Sequence, residues 1–401
     1  MVSLTLDSLP VELIEEVASR LDFHDLCALR LTGRTVSSKS SNATFRNYFL
    51  SKKLELAEAP LEQFVLVTKP GRSGLCLQQL TLYASIEPPI SEDASTGGMS
   101  PVTSRVVQLL ARGFQNMRDY SPQNNALSVS LKVLGKGHKK ELAAKILRVT
   151  MAALGSTGLP IHSFDVFTEG YSHTRGGFCS FPIGEITEAL PGGNTADLNR
   201  LAMAFQPCNK ICLSLAHHVL EFSLHQRRHI VFPQSYEEAR DHTRSLCDLL
   251  TLCPTLEELH LVWEYDPVDE RTAGVLEELY FFRRVAESCQ FPRLEKCTLH
   301  NLRMTEATLL TFFRQLTRLE HLDLRSIFLQ GEFDGLFRLL STEMPELRYL
   351  RLQGLYSSTG TLRFLNEPPE NRLRNPRGHP SPGIIRRGAA ARRPVVAKGT
   401  R

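Results

Sequence analysis

Cys208, Cys212, His217 and His218 form the densest group of metal-ligating side chains in the sequence, and two thiols with two imidazoles would suit zinc. Their spacing argues against it. A C-x3-C pair and two adjacent histidines lie on or just past a strand-like run, where alternate residues face opposite sides, so four ligands diverge instead of converging. No metal site is expected. The run LGKGHKKE, Leu134 to Glu141, has the glycines and lysines of a phosphate cradle. It lacks the five-residue lead and the Ser/Thr that would hold magnesium, and reads as a basic turn before a helix. No G-x-S-x-G elbow, H-E-x-x-H helix or G-x-x-x-x-G-K-[ST] loop occurs. The sequence therefore predicts a non-catalytic protein without a cofactor.

The remaining polar residues of interest sit inside a recurring pattern, Leu-x-x-Leu-x-Leu. Clear copies start at Leu77, Leu256, Leu294, Leu319 and Leu347, and weaker ones at Ala126, Ile161 and Cys208. The last three clear copies start 25 and 28 residues apart, close to the period of leucine-rich repeats. If each copy is a strand, its two later leucines point inward and the flanking residues outward. On the last four copies this places Glu258, His260, Val262, Lys296, Thr298, His300, His321, Asp323, Arg325, Tyr349, Arg351 and Gln353 on one concave face. His260, His300, Asp323, Arg325, Tyr349 and Arg351 are the expected contacts to a protein target, being types common at recognition surfaces; the alternative is that they are ordinary solvated positions and the target binds loops or insertions in the earlier half.

Amphipathic helical stretches separate the copies: Arg105 to Met117, Glu141 to Leu154, Tyr236 to Leu252, Val275 to Ala286, Glu306 to Leu316 and Leu336 to Met344. Strand and helix in alternation predict an α/β solenoid in which no unit buries its leucines without a neighbour. A compact α/β domain with crossover helices would give the same alternation.

These elements follow a different kind of segment. In LDSLPVELIEEVASRL, residues 6–21, Pro10 suits a first helical position and Leu13, Ile14, Val17 and Leu21 keep helical spacing. DLCALRL predicts a second helix through Leu26 and Leu29, and a third is expected from near Asn42 through Phe45 and Phe49. Three short helices close only a thin core, leaving apolar surface for a partner.

The order Leu-x-x-Leu-Pro-x-Glu-Leu/Ile, then Leu21, DL and LRL, resembles the F-box family over roughly residues 4 to 50. The region that follows resembles the divergent leucine-rich repeats that often accompany an F-box in fungal proteins. The resemblance implies docking on a Skp-type adaptor and, through it, on a cullin scaffold. The positions matching the adaptor-facing pattern are Leu9, Pro10, Leu13, Ile14, Val17, Leu21, Leu26, Leu29 and Arg30. It implies a substrate receptor of a ubiquitin ligase. A repeat scaffold with a helical cap and no ubiquitin role is the alternative.

Composition agrees with a globular chain: 42% hydrophobic, 22% charged, net charge +4. No apolar run reaches the length of a membrane span, and acidic residues interrupt any N-terminal signal. The nine cysteines lack the pairing of a disulfide scaffold, so a cytosolic or nuclear protein with reduced thiols is expected. The expected division is a helical module over 1–55, the repeat-like region over 56–365, and a disordered basic tail over 366–401. That tail holds nine Lys or Arg against two Glu; it reads first as a solubilising tail, with a nuclear import signal in the Arg386–Arg393 run as the alternative. Nucleic acid is not an expected partner.

Overall fold

The computed structural model describes residues 5–40, 49–86, 104–121, 126–135, 140–168, 179–190, 195–216, 236–264, 273–374 and 380–400. The chain opens with a short 3-10 turn, Leu6–Ser8, and three helices: α1 (Val11–Ser19), α2 (Phe23–Leu31) and α3 (Arg34–Lys39). Pro10 is the N-cap of α1, one residue ahead of its expected place. Asp22 caps α2 by accepting from the Asp25 amide at 2.9 Å, which satisfies one orphan donor of the first turn. The third helix starts at Arg34, ahead of the expected one, and residues 41–48 lie outside the described residues. Ile14, Ala18, Leu26 and Val36 form the small core of this module.

The rest is mixed α/β. Its elements run β1 (Ser51–Glu55), α4 (Glu58–Val67), β2 (Gln79–Ser85), α5 (Ser104–Tyr120), β3 (Leu127–Leu134), α6 (Lys140–Thr157) and β4 (Ile161–Val166). Then come β5 (Phe181–Pro182), α7 (Glu185–Ala189), α8 (Thr195–Phe205), β6 (Lys210–Ala216), α9 (Tyr236–Thr251), β7 (Glu258–Trp263) and α10 (Ala273–Ser288). They continue with β8 (Lys296–His300), β9 (Arg303–Thr305), α11 (Glu306–Arg314), β10 (His321–Gln330), α12 (Asp334–Thr342) and β11 (Tyr349–Ser357). The last are β12 (Gly360–Phe364), β13 (Arg372–Arg374), β14 (Pro380–Arg387) and β15 (Ala397–Thr400).

Strands β1, β2, β3, β4, β6, β7, β8, β10 and β11 lie side by side in sequence order, every neighbour parallel. A doubly wound sheet reverses its order at a switch point, and this one does not. The register is shared across strands. Leu80, Val129, Phe164, Ile211, Leu259, Cys297, Leu322 and Leu350 form one lateral row; Leu82, Leu131, Val166, Leu213, Leu261, Leu299, Leu324 and Leu352 form a second. Every one of these side chains is buried. The first leucines of the clear late copies, Leu256, Leu294, Leu319 and Leu347, are buried as well. Each such residue stabilises the fold by roughly 1.5–3 kcal/mol through loss of apolar surface to water. The helices supply the other side of the core, with Phe164 against Phe205 and Phe282 against Phe312.

The tail corrects the expectation of disorder. β14 pairs antiparallel with β11, placing Tyr349 opposite Arg387 and Arg351 opposite Ile385, while β15 pairs with β12. Arg386, read from sequence as part of a basic signal, is buried and bonded through Nη2 to Glu367 Oε1. Its Nε also donates to Glu367 Oε2 at 3.3 Å and its Nη2 to the Pro394 carbonyl at 3.2 Å. Composition suggested a solvated coil because the segment has no apolar periodicity. What orders it is non-local: the open edge of β11, the buried Ile384 and Ala391, and one enclosed ion pair.

Candidate functional site

Two surfaces present side chains without an obvious structural duty. The first is on the helical module. Leu13 and Val17, four residues apart on α1, are about half exposed at 51% and 45%, and Pro10 beside them is exposed too. Leu9, Leu21 and Leu29 are half-buried. Ile14 and Leu26, expected to face an adaptor, are instead inside the module, because three short helices need those side chains for a core of their own. Arg30 donates to the Ser37 carbonyl at 3.0 Å and so ties α2 to α3. Sequence reasoning passed over Leu6, Val11 and Leu31, which are all exposed, the last at 88%. Lys39 holds the entry turn by donating to the carbonyls of Asp7 and Leu9 at 2.8 and 2.7 Å.

The second surface is the polar face of the parallel sheet. Opposite the leucine rows run three rows of other residues. One holds Lys210, Glu258, Lys296, His321, Tyr349 and Arg387; the next holds Asp165, Cys212, His260, Thr298, Asp323 and Arg351; the third holds Ser214, Val262, His300, Arg325 and Gln353. The six expected target contacts therefore share one face. The expectation that all the flanking residues meet solvent is corrected at two: Val262 and Asp323 are buried. Asp323 is covered because Arg325 grips it from Nε at 2.9 Å and from Nη2, and Arg351 lies 4.0 Å away.

Glu258, Asp323 and Asp165 are the carboxylates of these rows, and the first two are ion-paired. Glu258 meets Lys210 at 2.6 Å and Lys296 at 3.7 Å. Asp323 meets Arg325 and Arg351. His321 stacks flat on Tyr349, ring centroids 3.9 Å apart. Burial lowers the pKa of His260 against the pull of Asp165 and Asp323, and that of His321 against the pull of Asp323.

Cys212 lies between Asp165 and His260 in its row, an arrangement that would suit a thiol nucleophile. Burial, reinforced by Asp165, pushes its thiol up to about 12, so it stays protonated and unreactive. Among the described residues no group of three or more His, Cys, Asp or Glu could hold a metal. Cys208 is buried in the core and Cys212 in the polar row, while His217 and His218 lie outside the described residues. No helix among the described residues is long and apolar enough to cross a membrane.

Comparison of the chain with curated proteins finds no match. Comparison with protein families matches the 3-10 turn and the three helices just described, from Leu6 to Ser40. Residues 6–40 are an F-box domain.

Proposed function

We propose that the chain is the substrate-recognition subunit of a Skp–cullin–F-box ubiquitin ligase, acting in cytoplasm or nucleus. The F-box domain docks on a Skp-type adaptor through Leu9, Pro10, Leu13, Val17, Leu21 and Leu29. The strands and helices that follow act as a divergent leucine-rich-repeat array that holds the target on its polar face. Ubiquitin transfer belongs to other subunits.

One observation carries this reading: the F-box match falls on a module whose Leu13 and Val17 are left outside its own core. Apolar side chains spaced four apart on an exposed helix face form a helix-in-groove anchor. Co-expression with a Skp-type adaptor tests it. Leu13→Ala with Val17→Ala should abolish co-purification while circular dichroism stays that of the parent, since truncated anchors commonly cost more than about 1 kcal/mol each. Ile14→Ala should lower the stability of the module itself by roughly 2–4 kcal/mol. A parent chain that ignores the adaptor would leave a repeat scaffold without a ubiquitin role.

A further inference from the structure

On the polar face Asp323 is withdrawn, while Lys296 and Arg387 are exposed. Asp323 has 5% of its side chain exposed, against 21% for Arg351. Asp323 is already gripped twice by Arg325, which leaves Arg351 at 4.0 Å, with its buried Nε lacking any hydrogen-bond partner. Glu258 is likewise engaged more closely by Lys210 than by Lys296, whose side chain is 57% exposed. Arg387 is exposed, directly opposite Tyr349, and no described carboxylate pairs with it. Lys296 flanks the His321–Tyr349 stack on one side and Arg387 on the other, and Arg351 lies two residues along β11 from Tyr349 with its Nη2 donating to Gln353 Oε1 at 2.7 Å.

From this geometry we infer that the target is held by an acidic segment, with two carboxylates seated on either side of the stacked rings. The inference rests on the proposed use of this face for target binding. One carboxylate pairs with Lys296; the other lies between Arg351 and Arg387. Lys296 and Arg351 are two strands and two residues apart, on the order of 12 Å from the usual spacings of a sheet. An extended peptide covers that in about four residues and, by its period of two, points residues i and i+4 the same way. Two separated cationic points match two single charges better than one phosphoryl dianion. The flat His321–Tyr349 surface between them accepts the intervening residues by stacking without adding charge.

The test uses the full chain and three fluorescein-labelled pentapeptides: Glu-Ser-Thr-Ser-Glu, its counterpart with Lys at both ends, and one with phosphoserine at the centre and Ser at both ends. Anisotropy at about 20 mM salt should show the acidic peptide bound and the basic one not, and the difference should shrink as salt rises to about 200 mM. Arg351→Gln and Arg387→Gln should each weaken the acidic peptide by about tenfold, the usual worth of a charged hydrogen bond. Both variants leave Asp323 with Arg325 and Arg386 with Glu367, so the fold is kept. Equal binding of acidic and basic peptides, or unchanged affinity in both variants, overturns the inference. Tighter binding of the phosphopeptide overturns the choice of carboxylate. Thr298→Trp, a neutral block in the middle row, separates the two levels. Loss of captured target proteins by Thr298→Trp with their retention by the double Gln variant keeps the face and discards the acidic segment. Retention in both discards the face as well.

Discussion

Arg386→Ala should detach the end of the chain. The guanidinium is 5% exposed and Glu367, its partner, 3%. It also donates to the carbonyls of Arg393 and Pro394, so one side chain links the start of the tail, β14 and the segment before β15. Truncation leaves the Glu367 carboxylate enclosed with a long 3.4 Å contact from Asn371. Removing one partner of a buried ion pair costs roughly 3–5 kcal/mol, mostly as the desolvation of the charge left behind. If the tail opens as a local unit, hydrogen exchange of the β14 amides should accelerate by about two to three and a half decades, while amides of β3 and β4 keep their rates. Arg386→Met combined with Glu367→Leu removes the orphaned charge and should return exchange to within about a decade of the parent. Exchange in β14 unchanged by Arg386→Ala would refute the idea that this pair secures the tail.

Gly113→Ala should destabilise, although Ala is the better helix former by about 1 kcal/mol: a Cβ there would lie 2.4 Å from Cε1 of the fully buried Phe64, and overpacking costs roughly 1–3 kcal/mol, read from urea unfolding. His260 and His321 have folded pKa values below their ordinary one, so the unfolded chain binds protons more readily. Their contribution to stability is present above about pH 6.5 and declines as pH falls below it, which urea midpoints at stepped pH would show and a flat profile would contradict. Iodoacetamide at mild alkaline pH should modify the half-buried Cys27, Cys76 and Cys179 well before Cys212, as peptide mass spectrometry would record; early labelling of Cys212 would mean its row opens.

Much of this fold is legible without coordinates. The six helices expected between the leucine motifs are all present, and the eight motif copies all become strands, because apolar periodicity is a local signal that the core then uses. β1 and α4 were invisible to that logic: Ser-Lys-Lys-Leu-Glu offers β1 a single buried residue, Leu54. The tail failed for a different reason, since its strands exist only by pairing with β11 and β12, partners a local reading cannot assign. The polar rows followed from strand parity, so the six candidate contacts were brought together as expected. Their depth was not readable: Asp323 is buried by Arg325 and Arg351, and it is register between strands that brings Arg351 beside it. On the helical module the family pattern named residues that the domain needs in the same breath as residues that it exposes, and only packing separates Ile14 from Leu13.

The shared register of the parallel strands divides the labour between alternate positions. Leu322 and Leu324 face the buried core, whereas His321, Asp323 and Arg325 meet one another's row and their neighbours across the strands on the opposite face. On the proposed use of this face, folding and recognition are written in two interleaved alphabets on one backbone. The exposed outward positions can then be rewritten to change what is bound while the inward rows, and the buried Val262 and Asp323, keep the chain folded.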